Sequence, residues 1–243
     1  MKQTKIDWCD CTINPVVGCP NGCKYCYAER MNRRFGWVKN WRVPQVFPER
    51  LNALKSKKPK SVFIDSMSDI GTWEQEWLNA VLKAINDNPQ HRYVALTKCF
   101  HLLNDKLNRS DSGVVTNLWC GMSVTTQANA NAITLIHRFH GIMPDFYSIE
   151  PILEPIEIPN DAIPKTLIIG AETGNRKGKI IPQREWIDSL VKQADAHNCI
   201  VFMKESLRKI MGDDFRQDRL PWEVADEPDN EQGKRGSDGQ SGD

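Results

Sequence analysis

Seven short apolar runs, separated by helix-like stretches, constrain this chain more than any other feature: TINPVV, SVFID, YVALT, NLWCGMS, FYSIE, TLIIGAE and CIVFMK. Each is the length of one strand and apolar on both faces, which is the pattern of a parallel sheet covered on both sides. Between them, Trp73, Trp77, Val81 and Ile85 repeat at helical spacing behind Thr72 and Gln75, which have the spacing of a capping box. Ile133, Ile136 and Phe139 form a second stripe closed by Gly141. Pro182 opens a third helix in which Trp186, Leu190, Val191 and Ala194 share a face. Six or seven strand–helix units in roughly 225 residues suit an incomplete parallel α/β barrel better than a doubly wound sheet.

Most of these strands end in a polar or ionisable residue: Asp65, Lys98, Ser123, Glu150, Glu172 and Lys204. In parallel α/β folds the carboxyl ends of the strands converge on one mouth, where ligands bind. Lys98, Glu150, Glu172 and Lys204 are therefore candidates for substrate binding or proton transfer, since burial at a dry mouth shifts pKa values toward acid and base roles. The alternative is that they pair with one another as structural ion pairs, or simply mark where strands reach water. The five histidines fall on predicted helices or their flanks, and none is assigned to catalysis.

Eight cysteines in a chain with no apolar run near the roughly 20 residues of a membrane span, and a polar Met1–Asp10, point to a cytoplasmic protein without a disulfide framework. Three of them stand together in GCPNGCKYCYAER, after the first predicted strand and before the first predicted helix, in the spacing C-x3-C-x2-C. Thiolates of Cys19, Cys23 and Cys26 on a tight loop can hold three corners of a 4Fe–4S cluster and leave the fourth iron open. Gly18 and Gly22 permit the turns such a loop needs. A structural zinc site is the alternative and would recruit Cys9 or Cys11 as a fourth ligand. No second C-x-x-C pair supports it, because Cys99, Cys120 and Cys199 are isolated in or beside apolar runs and read as core thiols.

Charge is unevenly spread along the chain. The tail from Asp226 to Asp243 holds six acidic and two basic residues and no large apolar side chain, so a disordered acidic tail is expected behind one domain spanning residues 1–225. Arg30 to Lys60 carries ten basic residues and only Glu49 on the acidic side, with Phe35, Trp37, Trp41 and Phe47 interleaved. That mixture makes nucleic acid a candidate partner.

The cysteine triplet, with Tyr25 just before its last member, resembles the signature of the radical S-adenosylmethionine (SAM) superfamily. That superfamily's partial (β/α)6 barrel agrees with the alternation above. More closely, the chain resembles an uncharacterised, often phage-encoded family of short radical-SAM-like proteins, through FIDSMSD, VALTK, LWCGMSV, YSIEP, LIIGAETG and VFMKES between about Trp8 and Ser206. Members of that family commonly have a longer gap between the first two cysteines, whereas this chain has the compact superfamily spacing.

The resemblance implies a 4Fe–4S cluster on Cys19, Cys23 and Cys26, SAM as cofactor, and a one-electron donor such as a flavodoxin or ferredoxin. An electron delivered through the cluster then cleaves SAM to methionine and a 5′-deoxyadenosyl radical. It also implies that Ser66, Met67, Ser68 and Asp69 hold the methionine amino group by position and backbone carbonyls, in place of a Gly-Gly-Glu motif. Ser123 is the candidate for the ribose hydroxyls, and Gly170, Ala171 and Tyr25 for the adenine. The alternative for SMSD is a strand-to-helix turn in which Ser68 or Asp69 caps a helix. The competing function is a non-catalytic binding module stabilised by zinc or an iron–sulfur cluster.

Overall fold

The computed structural model describes residues 1–113 and 115–224, so the acidic tail lies outside the described residues. In chain order the strands are β1 (Lys2–Gln3), β2 (Cys11–Thr12), β3 (Val16–Val17), β4 (Gln45–Val46), β5 (Ser61–Phe63), β6 (Arg92–Thr97), β7 (Leu118–Ser123), β8 (Phe146–Ile149), β9 (Thr166–Ile169) and β10 (Ile200–Met203). The α-helices are α1 (Tyr27–Phe35), α2 (Gln75–Asn86), α3 (Phe100–Asn108), α4 (Gln127–His140), α5 (Arg184–Asp195) and the short α6 (Arg208–Met211). β2, β5, β6, β7, β8, β9 and β10 lie side by side in that order, all parallel, and curl into a half-barrel; β1 adds antiparallel to β2 at one edge. The expected partial α/β barrel is the fold. Among the described residues no helix is long and apolar enough to cross a membrane.

Period-two alternation sends each strand's side chains to two different cores. Val62, Ala95, Met122, Tyr147, Ile169 and Val201 meet Leu78, Val81, Leu82, Leu103, Ile133 and Leu190 from the helices. The other set, Phe63, Val94, Phe146, Ile168 and Phe202, faces the helix-free interior, which is filled by Trp8, Leu220 and Trp222. The Trp8 ring lies 4.7 Å from Phe63 at a tilt of 53°, Trp222 sits 4.7 Å from Phe146, and the Trp222 indole N–H donates to the Trp8 carbonyl at 2.8 Å. The half-barrel is thus stoppered from within, which leaves its mouth open above the aromatic filling.

Gly121 is the clearest sequence requirement of that interior. A Cβ there would stand 2.3 Å from the Phe146 ring. Gly121→Ala is expected to cost about 1–3 kcal/mol through overpacking, read as a lowered denaturant midpoint, and Phe146→Leu in the same chain should recover part of the loss. An unchanged midpoint would show that the ring moves aside freely.

Four local expectations need correction. The run TINPVV is broken in two: the sheet strand ends at Thr12, and Val16–Val17 pairs antiparallel with β4. Pro15 explains the break, since it has no N–H to give a ladder. The capping box does not form, because Thr72 belongs to a 3-10 turn (Ile70–Thr72) and its hydroxyl bonds the Asp69 carbonyl, while α2 starts behind Glu74 without a side-chain cap. On α4 the buried face is Ala130, Ile133 and Thr134, leaving Phe139 79% exposed. On α5 the face is Ile187, Leu190 and Ala194, so Trp186 and Val191 only flank it.

Candidate functional site

The cysteine loop is pinned to the barrel mouth by main-chain bonds. Gly18 N–H donates to the Met67 carbonyl at 3.0 Å and Cys19 N–H to the Trp41 carbonyl at 2.8 Å. Gly18 adopts φ 109°, and a Cβ there would lie 2.9 Å from the Pro44 backbone, so the close approach needs glycine. Cys26 is the N-cap of α1 and its sulfur accepts the Glu29 N–H at 3.3 Å, which places it at the positive end of the helix dipole. Cys19 and Cys26 pack on a small apolar cluster of Val17, Ala28, Val38, Trp41 and Met67.

Cys19, Cys23 and Cys26 line one wall of a cavity of about 210 Å³ at the carboxyl ends of the strands. Asp65, Ser66, Ser68, Asp69, Lys98, Ser123, Ser148, Glu150, Ala171, Glu172 and Lys204 form the rest of the rim and walls, with Trp8, Phe63 and Leu96 beneath. Five of the eight cysteines lie near the N-terminus, but Cys9 and Cys11 do not line this cavity; Cys11 is buried in β2. Among the described residues no three His, Cys, Asp or Glu side chains stand close enough to share a single metal ion, so a mononuclear site would require the thiols to move together. Burial pushes the Cys19 thiol up to about 12, and raises Cys26 also. A positive centre displacing the protons would relieve that. Three half-buried thiols on one wall, with no fourth cysteine on the cavity, fit a cluster with one open corner better than a closed four-ligand site.

The cavity collects nearly every residue singled out in the sequence, in unequal roles. Asp69 is buried and its carboxylate is fully engaged: it accepts from Asn21 Nδ2 at 2.6 Å, Gly71 N–H at 3.0 Å, Lys98 N–H at 2.9 Å and the Thr97 hydroxyl. It therefore caps the 3-10 turn and ties the cysteine loop to β6. The Ser66 carbonyl accepts the Tyr27 hydroxyl at 2.7 Å, Ser66 Oγ and Met67 N–H both bond Asn14, and Ser68 Oγ accepts the Trp73 indole N–H. Met67 turns away into the apolar cluster behind the loop. Ser123 lines the cavity beside Ser148. Ala171 lines it too, its N–H held by Ser206, whereas Gly170 lies outside the lining. A Cβ on Gly170 would meet Lys204 Cδ at 3.1 Å and Glu150 Cγ at 3.3 Å, so this glycine makes room for that ion pair.

Of the four candidate acid–base groups, three are paired. Lys204 Nζ stands 2.6 Å from Glu150 and 3.8 Å from Asp7. Burial works against its charge, but Glu150 outweighs that and holds the lysine above its usual range. Glu172 is gripped by both nitrogens of Arg176, at 2.6 and 2.7 Å, and its carboxyl is held below the usual range. Lys98 makes no ion pair among the described residues. It is half-buried in the cavity wall, its Nζ 5.5 Å above the ring of Tyr25, whose hydroxyl contacts Thr125 at 3.3 Å. Here too desolvation opposes the charge, and Tyr25, Cys23 and Asp69 outweigh it.

Sequence reading missed Asn14, Asn21, Tyr27, Thr97 and Arg176, which position the others. It noted Asp65 only as a strand end. Asp65 is buried, accepts N–H groups of Leu96 and Ile70 and has no cationic partner among the described residues, so burial raises its pKa well above the usual carboxylate value.

The basic segment is split by the fold. Arg30, Arg33, Arg34 and Arg42 lie on α1 and the loop behind the cysteines, while Lys55, Lys57, Lys58 and Lys60 lead into the amino end of β5, where the Lys60 carbonyl accepts from Arg92 at the start of β6. The two groups are at opposite ends of the sheet.

A family model described as "Protein of unknown function (DUF5131)" matches residues 3–218. No curated protein and no solved structure matches the chain.

Proposed function

The chain belongs to the DUF5131 family, and we propose that it is a radical SAM enzyme whose Cys19, Cys23 and Cys26 hold a 4Fe–4S cluster. One observation carries this reading: three thiols of a single loop share one cavity with the polar ends of six neighbouring parallel strands. When bound, a cluster with one open iron supplies the site that chelates SAM and the electron that cleaves it to methionine and a 5′-deoxyadenosyl radical.

The chain's own residues have separable tasks in this scheme. The unpaired ammonium of Lys98 offers charge to a carboxylate on the ligand. Ser123 Oγ, without a hydrogen bond among the described residues, is the donor or acceptor for ribose hydroxyls. Trp8, Phe63 and Leu96 close the cavity from below and give the reacting atoms an apolar floor. Glu150–Lys204 and Glu172–Arg176, already paired, hold the rim in shape. A zinc-stabilised module is disfavoured because Cys9 and Cys11, its natural fourth ligands, stand apart from the triplet's cavity.

The test is chromatographic. Anaerobically reconstituted protein, reduced with dithionite or a flavodoxin, is expected to release 5′-deoxyadenosine and methionine from SAM. Release no greater than from a variant lacking all three cysteines, with every reductant tried, would overturn the reading in favour of a non-catalytic module.

A further inference from the structure

Helix α1 is built the wrong way round for a core helix. Its buried face is Ala28 and Asn32, whereas Tyr27, Met31 and Phe35, spaced four apart on one stripe, are 44%, 39% and 54% exposed. Just beyond it, Trp37 is 36% exposed and stacks on Phe35 with ring centroids 5.1 Å apart and planes 29° from parallel.

This is a held arrangement. Gly36 ends the helix in the left-handed conformation, its N–H on the Asn32 carbonyl at 2.7 Å. The buried Asn32 side chain then clamps both backbone groups of Val38, at 2.9 and 3.0 Å, which folds Trp37 back against Phe35. Two rings are thus fixed in water at little further entropic cost to a ligand.

Two further observations say what covers them. Residues 27–43 carry five basic residues against Glu29 alone, and among the described residues the exposed Arg34 and Lys39 make no ion pair; the Arg34 guanidinium lies 5.2 Å from the Phe35 ring. Tyr27, Met31 and Trp37 also line a groove of about 830 Å³, and Tyr27, Ser66, Glu150 and Lys204 line both this groove and the cysteine cavity. A flat π surface with unpaired cations beside it suits a chain of stacked bases joined by phosphates. The flanking groove, at about 830 Å³, is large enough to take a base turned out of the stack.

We propose that α1 and the Gly36–Trp37 turn bind a single-stranded nucleic acid as substrate, with bases stacked on Phe35 and Trp37, phosphates near Arg34 and Lys39, and one base lodged in the groove toward the cysteines. This names the substrate class of the site above and rests on that reading for the chemistry, though not for the binding.

The experiment is fluorescence anisotropy of labelled oligothymidylate with the full reconstituted chain. The wild type is expected to bind, with affinity falling as salt rises, and to prefer the single strand to a duplex of the same length. Phe35→Ala with Trp37→Ala should weaken binding about tenfold or more at a near-native Tm, since neither ring belongs to a buried core cluster. Arg34→Gln with Lys39→Gln should flatten the salt dependence. Equal affinity in wild type and the ring-deleted variant, a preference for duplex, or no binding at low salt would each overturn the proposal. Binding without SAM cleavage leaves the platform standing and defeats the enzyme reading; cleavage without binding does the reverse.

Discussion

Replacing Cys23 with alanine is expected to leave the chain unable to hold iron and to bring SAM cleavage to background. Reconstituted wild type should carry about four irons and four sulfides, the content of one cubane. Cys23 stands in the middle of the triplet, and no other cysteine lines the cavity to replace it. Its nearest sequence alternatives are committed elsewhere, Cys11 within β2 and Cys9 beside the interior cluster around Trp8. Cys199→Ala serves as control: this thiol is buried just before β10 and belongs to the helix-side core, so iron and cleavage should both persist. Iron and sulfide assays with 5′-deoxyadenosine detection decide it. One zinc per chain, with no iron retained under reducing anaerobic conditions, would contradict the cluster.

Asp69→Ala is expected to lower both stability and iron content together. Sequence position made Asp69 a SAM contact, whose loss would raise only the SAM concentration needed. Its geometry assigns a different task, because four donors converge on this one buried carboxylate. Leaving the Gly71 and Lys98 N–H groups without their acceptor costs roughly 1–3 kcal/mol each. A total of about 3 kcal/mol corresponds to a fall in Tm of about 6–12 °C for a chain of this size. Asn21→Ala separates the two effects, since it removes only the tie to the cysteine loop. That variant should keep a near-native Tm while losing iron faster to a chelator. Wild-type Tm and iron content in Asp69→Ala, with only the SAM requirement raised, would restore the contact role.

The barrel was legible because its strands are buried on both faces and therefore form unbroken apolar runs in the sequence. The cysteine loop was legible because its chemistry is local: three thiols and two turn glycines within a few residues. What stayed hidden was long-range. Nothing near Asn21 shows that its amide meets Asp69, 48 residues on, or that Lys204 meets Glu150, 54 residues back. The Arg30–Lys60 run was read as one patch because residues adjacent in sequence were taken as adjacent in space. A chain passing from the mouth of the sheet to its opposite end separates them by the length of the barrel. Phe139 failed for a subtler reason: a three-residue repeat drifts around a 3.6-residue helix, so its last member rotates off the buried face.

The stopper inside the half-barrel joins positions 214 residues apart, the Trp222 indole reaching the Trp8 carbonyl. Contacts of that span form late, because the loop they close is nearly the whole chain. On the ribosome, Phe63, Val94 and Phe146 emerge long before Trp222, so the concave face has only Trp8 to cover it while translation runs through the last strand. Throughout that interval the nascent chain exposes part of a sticky aromatic surface of the kind chaperones shield, although Trp8, Phe63 and Leu96, the floor of the cysteine cavity, are among the first parts of the molecule to be made.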